Sequence, residues 1–140
     1  MLRDSQNGLY HEEYFNELLA LEKQRCGRSE NIVLLMLADI SDFTDVSERE
    51  KIAKSIMDAL SKVTRNTDVK GWHVEGLVVG IIFTEMGNTP TSPYSQSHIE
   101  NKCLRCLRSH LGLERSSHIQ ISWQLLHSGH ILDIPKVSQG

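Results

Sequence analysis

An arginine and an aspartate three residues apart, Arg65 and Asp68, have the types and spacing that best suit ligand chemistry. A guanidinium group presents paired donors to phosphate or to the acceptor edge of guanine, and a carboxylate accepts from paired N–H donors. The same two residues could instead form a local ion pair or cap a helix-to-strand turn, since arginine is favourable near a helix C-terminus. The spacing therefore predicts either a ligand-binding pair or a local structural pair.

Two other groups of residues have both a chemical and a structural interpretation. Trp72 could stack on a base, but a tryptophan in a strand more often packs in a core, so packing is favoured. Cys103 and Cys106 form a C-x-x-C pair, with His110 four residues on. They lack a convincing fourth zinc ligand, and a redox pair would lie at a strand-to-helix junction, so we predict that both cysteines pack in the core.

The elements that position these residues follow from the apolar pattern. The segment 65–86 predicts a β-hairpin with a tight turn near Glu75 and Gly76. The run 32–40 is almost continuously apolar, as expected for a central strand buried on both faces. The other predicted elements are a helix from His11 to about Arg25, a helix that begins with a Ser47–Glu50 capping box and runs to Val63, a helix from Ile99 to Leu111 that ends at Gly112, and a strand from Ile119 to Leu126. This order predicts an α+β fold, a ferredoxin-like βαββαβ palm with an extra N-terminal helix and an antiparallel central sheet.

The composition bounds the class of protein. With 140 residues, of which 39% are hydrophobic and 24% charged, we expect one domain over 1–127 and a C-terminal tail or short ribbon over 128–140. The net charge of −3 provides no broad attraction for nucleic acid or an anionic membrane. No apolar run approaches the roughly 18 residues of a membrane span, and no leader precedes the first helix, which predicts a cytoplasmic protein. Three cysteines, an odd number, favour reduced thiols over a disulfide framework.

The layout of these residues resembles the GGDEF domain of diguanylate cyclases. In that family an R-x-x-D pair lies five residues ahead of a G-G-D/E-E-F turn between two central strands, as Arg65 and Asp68 lie ahead of the turn 74–78. Further matches to the scaffold are Asp4, Gly8, Leu9 and Phe15 in the family's opening motif, and Asp39 and Phe43 in the D-[IL]-D-x-F motif that ends its first central strand. The resemblance spans about residues 4–126 and implies the palm fold of nucleotide cyclases.

The residues that serve catalysis in the family are replaced in this chain. The turn 74–78 reads Val-Glu-Gly-Leu-Val, so that Gly76 and Leu77 stand where the family has its acids. Ser41 takes the second carboxylate position of the strand end, which leaves Asp39 alone. Phosphoryl transfer usually needs two carboxylates and a carbonyl to hold Mg²⁺. The resemblance thus implies that Asp39 is a vestigial metal ligand, the alternative being a solvated or capping carboxylate, and that no cofactor is bound unless residual activity uses Mg²⁺.

The segment that reads guanine in the family is also missing, since too few residues lie between Phe43 and Arg65 to hold it. The resemblance therefore implies a catalytically inactive signalling or regulatory domain of a bacterium, with cyclic di-GMP as the candidate ligand of Arg65 and Asp68 and with a protein partner or a homodimer. The phrase 80–85 resembles degenerate members associated with exopolysaccharide production. The alternatives are residual nucleotide cyclase or diguanylate cyclase activity through Asp39, and a ligand-free dimerisation or protein-interaction scaffold.

Overall fold

The structure is a computed structural model, and it describes residues 2–3, 7–28, 31–87, 91–127 and 130–134. Asp4, one of the residues that match the family's opening motif, lies outside these ranges. The elements in chain order are α1 (Glu12–Arg28), β1 (Ile32–Asp39), α2 (Val46–Leu60), β2 (Val69–Val74), β3 (Val78–Phe83), α3 (Gln96–Leu111), α4 (Leu113–Ser117), β4 (Gln120–His127) and β5 (His130–Ile134). The predicted order of helices and strands is confirmed, and α4 and β5 are additions to it.

The strands form one sheet in the order β2-β3-β1-β4-β5, in which every neighbouring pair is antiparallel. β1 and β2 run in the same direction with β3 between them, which is the arrangement of a βαββαβ palm. The predicted α+β fold with an antiparallel central sheet and an extra N-terminal helix is therefore confirmed.

The segment after β4 corrects the prediction of a C-terminal tail. β5 pairs antiparallel with β4, with Leu132 opposite Leu125 and His130 opposite His127. The backbone N–H and C=O groups on the outer edge of β4 find partners in a strand that folds straight back on it. Of the two predicted possibilities, a tail or a short ribbon, residues 130–134 form the ribbon, and they add a fifth strand to the sheet.

β1 lies at the centre of the sheet and has apolar partners on both faces, as its continuous apolar run predicts. Leu34 and Met36 belong to the larger buried cluster, which includes the apolar faces of α2 and α3. Val33 and Leu35 belong to the smaller cluster, which includes the apolar face of α1. The alternation of side chains along the strand thus places α1 on one face of the sheet and the α2–α3 pair on the other.

Phe15 of α1 docks on a pair of glycines, Gly71 and Gly80, which lie opposite each other on β2 and β3. A β-carbon at Gly71 would lie 2.6 Å from Phe15 Cδ1, and one at Gly80 would lie 2.5 Å from Phe15 Cζ. These distances are too short for any side chain, so the two glycines create the space in which the Phe15 ring is buried. This contact holds α1 against the β2–β3 hairpin.

The start of α2 differs from the prediction. The helix begins at Val46 with Asp45 at its N-cap, and the Asp45 side chain makes no capping hydrogen bond. The predicted Ser47–Glu50 capping box is therefore wrong. Arg49, within the supposed box, instead donates from Nε to the Gly76 carbonyl at 3.1 Å.

None of the described helices is long and apolar enough to cross a membrane.

Candidate ligand-binding site

Asp68 lies in the turn between α2 and β2, and its carboxylate closes that turn. One oxygen, Oδ2, accepts a hydrogen bond from the Arg65 backbone N–H at 2.8 Å. The other, Oδ1, accepts from the Thr84 backbone N–H at 2.9 Å, which ties the turn to the end of β3. The side chain is only 1% exposed. Both carboxylate oxygens therefore serve backbone donors inside the chain.

The Arg65 guanidinium group lies over the same end of the hairpin. Its Nη2 atom donates to the carbonyls of Thr84 and Glu85, the latter at 3.2 Å. Its Nε atom lies 3.7 Å from Asp68 Oδ2. The ring of Tyr94 covers one face of the group, with the Arg65 Cζ atom 4.0 Å from the ring centroid. The side chain is 25% exposed, so part of the guanidinium group faces solvent.

The structure thus brings Arg65 and Asp68 together as their spacing predicts, and it adds partners that sequence reasoning missed. Thr84 directly follows β3, and Tyr94 lies in the connection between β3 and α3. Neither residue belongs to a motif that would have identified it. The contacts of Asp68 match the structural interpretation, in which the pair caps a helix-to-strand turn. The bonds from Arg65 to the carbonyls at the end of β3 are a feature that this interpretation did not include.

The tip of the β2–β3 hairpin docks on the N-terminus of α1 through Glu75. Its Oε1 atom accepts from the Glu12 backbone N–H at 3.0 Å, and Glu12 Oε1 accepts from the Glu75 backbone N–H at 2.6 Å. His11 Nδ1 lies 3.2 Å from Glu75 Oε2. A carboxylate at this place satisfies a free N–H group of the first helical turn and complements the helix dipole. Glu75, the acid within the altered turn, therefore holds the N-terminus of α1 against the tip of the hairpin.

Gly76, next to Glu75 in the turn, has a φ angle of 75°, which favours glycine. A β-carbon there would meet no atom within 4 Å, so backbone conformation and not lack of space accounts for the glycine. The adjacent Leu77 is partly exposed, and its carbonyl accepts a hydrogen bond from the Ile40 N–H at 2.9 Å. The altered turn is thus a regular hairpin connection that carries no acid at Gly76 or Leu77.

Asp39 lies at the end of β1, where its Oδ1 atom accepts from the Ser41 backbone N–H at 2.9 Å. Asp42 is turned to a different partner, since its Oδ2 atom lies 2.7 Å from His118 Nδ1. Within the described residues, no three His, Cys, Asp or Glu side chains form a group that could hold a metal ion. Asp39 thus has the local capping contact of the alternative interpretation, and this donor set does not fit Mg²⁺.

Trp72 and Cys103 pack in the core as predicted, whereas Cys106 is only partly buried. Trp72 is fully buried in the larger cluster, and within the described residues its Nε1 atom has no hydrogen-bond partner. Cys103 is fully buried in the same cluster, and Cys106 packs against it. Burial, with smaller contributions from Cys106 and Glu100, raises the pKa of the Cys103 thiol above its ordinary value. Cys103 lacks the exposed surroundings of a reactive thiolate, whereas Cys106 retains some exposure.

Comparison with known proteins gives a structural match without a sequence match. No family model and no curated protein matches the chain. The FimX GGDEF domain from Pseudomonas aeruginosa superposes with a TM-score of 0.63 at 13% identity, over 99% of this chain and 84% of that one. The GGDEF domain of DgcB from Caulobacter crescentus, in complex with c-di-GMP, superposes with a TM-score of 0.60 at 12% identity, over 89% of this chain and 75% of that one. LapD from Vibrio cholerae, which contains a GGDEF domain, gives a TM-score of 0.62 at 13% identity, over 89% of this chain and 28% of that one. The fold of this chain is therefore that of a GGDEF domain.

Proposed function

We propose that this chain is a GGDEF-like regulatory domain that binds but does not turn over nucleotide. The observation that carries the proposal is which residues form the tip of the β2–β3 hairpin and what they contact. Gly76 and Leu77 stand at the positions of the family's turn acids, and the neighbouring acid, Glu75, is engaged with the N-terminus of α1. Moving Glu75 toward a metal would break its contacts with Glu12 and His11 and leave a free N–H at the start of the helix.

The end of β1 supports the same proposal. Of the carboxylates that hold the metal in the family, Asp39 is the one retained, and a single carboxylate with one oxygen already hydrogen-bonded is a poor ligand set for Mg²⁺. The connection from β1 to α2 runs only over residues 40–45, and it contains no counterpart of the family's guanine-reading segment. Without the metal and the base pocket, neither the triphosphate nor the guanine of GTP would be positioned for phosphoryl transfer.

The test is a turnover assay on the purified chain. GTP and ATP would be incubated with Mg²⁺ or Mn²⁺, with an active diguanylate cyclase as the positive control, and nucleotides separated by chromatography. We expect no cyclic product and no release of pyrophosphate above the enzyme-free blank. Metal-dependent product that disappears in Asp39→Ala would overturn the proposal in favour of residual cyclase activity.

Cyclic di-GMP is the ligand that we propose for the Arg65 face. The observation that favours it is the partly exposed guanidinium group beside the Tyr94 ring, which together offer donors and a stacking surface. Direct contact of the ligand with Asp68 would leave the buried Thr84 N–H without its acceptor, at a cost of about 1–3 kcal/mol. Arg65 is therefore the proposed contact, and Asp68 positions it.

Calorimetric titration of cyclic di-GMP distinguishes the alternatives. We expect micromolar binding to the wild-type chain, loss of binding in Arg65→Ala, and weaker binding in Arg65→Lys, which keeps the charge but not the planar fork. Thermal melts of both variants without ligand would separate loss of binding from loss of folding. Absence of heat with the wild-type chain would reject this ligand, and a concentration-dependent mass in light scattering would then favour the dimerisation scaffold.

Cytoplasmic localisation and the link to exopolysaccharide production stay predictions.

A further inference from the structure

We infer that a cationic pocket between α2 and α3 binds a small phosphorylated anion in the size range of pyrophosphate or a nucleoside diphosphate. The cavity has a volume of about 300 Å³. It is lined from the α2 side by Ala59 and Lys62, and from α3 mainly by Lys102, Arg105, Cys106 and His110. Arg65, Asp68 and Tyr94 do not line this cavity, so the inference does not rest on the proposed function.

The helices make these side chains converge. Lys102, Arg105 and Ser109 follow a three- and four-residue spacing, which places them along one face of α3. Lys62 follows the last turn of α2 and faces them across the groove. Ala59 is 2% exposed, and its small side chain leaves space beside the larger residues. Apart from Lys62, which lies in the turn directly after α2, the lining residues therefore occupy helical positions.

The charges around the pocket are uncompensated. Lys62, Lys102 and Arg105 are cationic at neutral pH, and no Asp or Glu side chain among the described residues lines the cavity. In the described part of the chain none of the three takes part in an ion pair. By contrast, Arg65 donates to backbone carbonyls of its own chain. Three like charges around one cavity repel each other, and an anion placed among them would add attractions that offset this repulsion.

The lining also indicates the class of ligand. Ammonium and guanidinium donors are the groups that proteins use for phosphate oxygens, and charged hydrogen bonds of this kind are among the strong ones. Apart from the His110 imidazole, no ring from the part of the chain that the structure describes lines the cavity, so little of it is suited to bind a base. Since the whole chain carries a net charge of −3, this local excess of cations does not follow from a generally basic composition. The pocket thus selects the phosphate groups of a small molecule.

The test is a calorimetric titration of the full chain with inorganic pyrophosphate and, separately, with ADP. The pocket variant is Lys62→Gln/Arg105→Gln. The matched control is Lys54→Gln/Arg108→Gln, which removes the same charge from exposed positions on the same two helices outside the cavity. We expect about a hundredfold weaker binding in the pocket variant, at about tenfold for each cation removed, and less than about threefold in the control.

Amide chemical shifts give a readout that does not depend on the variants. Addition of pyrophosphate to the wild-type chain should shift the amide resonances around Arg105 and Lys62. In the calorimetric titrations, equal affinities for pyrophosphate and ADP would mean that the phosphates alone are recognised. Tighter binding of ADP would also support the pocket and would assign it to a nucleotide. Absence of heat at millimolar pyrophosphate, shifts confined to other surfaces, or equal weakening in both double variants would overturn the inference.

Discussion

Asp68→Ala should destabilise the folded chain even when no ligand is present. The substitution removes the acceptor of two backbone N–H groups, those of Arg65 and Thr84, at 2.8 Å and 2.9 Å. The Thr84 bond is buried, and the carboxylate itself is 1% exposed, so water cannot readily replace it without opening the turn. The arginine would also lose the carboxylate 3.7 Å from its Nε atom.

The magnitude follows from these contacts. Each hydrogen bond to a charged acceptor contributes about 1.5–3 kcal/mol, and the exposed side of the Arg65 contact reduces the total, so the expected loss is about 3–4 kcal/mol. Asp68→Asn keeps one acceptor oxygen and should lose about 2 kcal/mol. With a denaturant slope near 2 kcal/mol/M, the urea midpoint of Asp68→Ala should fall by about 1.5–2 M.

Equilibrium urea unfolding followed by circular dichroism measures these changes, since a single domain of this size is expected to unfold in one transition. Asp42→Ala is the control, because the Asp42 side chain is 59% exposed and its ion-pair partner among the described residues is His118, at the surface. The control should change stability by less than about 1 kcal/mol. If Asp68→Ala were no more destabilised than Asp42→Ala, the assignment of Asp68 to the turn would be wrong.

Three further predictions concern packing and titration. Gly80→Ala should lower the free energy of unfolding by about 2 kcal/mol in urea, because the new methyl group overlaps the Phe15 ring, and wild-type stability would contradict the docking of α1. Burial holds the pKa of His73 below its ordinary value, so the unfolded chain takes up a proton at a higher pH than the folded chain does. Stability is therefore full above the unfolded pKa and is lost as the pH falls from there through the lower folded pKa. Urea midpoints should therefore drop between pH 7.5 and pH 5.5, and less so in His73→Gln; an equal drop in both would exclude this residue as the cause. Alkylation of the native chain, followed by peptide mass spectrometry, should modify Cys106 before Cys103, whose pKa is raised by burial, and equal rates would argue against its burial.

Local sequence determined the elements and part of the candidate site. The continuous apolar run at 32–40 identifies the central strand because a strand covered on both faces has no polar side to alternate with. Gly76 marks the hairpin turn because its φ angle of 75° is unfavourable for other residues. Arg65 and Asp68 come together because only the two residues of a tight turn lie between them, so their contact depends on local geometry alone.

The sequence pattern did not reveal the partners that give these residues their roles. Asp68 accepts from Thr84, 16 residues away, and Glu75 exchanges hydrogen bonds with Glu12 across 63 residues. In both cases one partner is a backbone N–H group, which every residue except proline carries. No side-chain motif in the sequence therefore predicts the contact.

The phosphate-binding pocket that we propose and the fifth strand depended on tertiary structure in the same way. Lys62 and Arg105 are unremarkable surface cations in the sequence, and only the packing of α2 against α3 places them around one cavity. β5 was predicted as a tail or ribbon because five residues give too short a pattern, and its place is set by the free edge of β4. Periodicity and spacing thus determined which elements form, whereas the packing of helices and strands that are distant in the chain decided which charges are used for structure and which are left for a ligand.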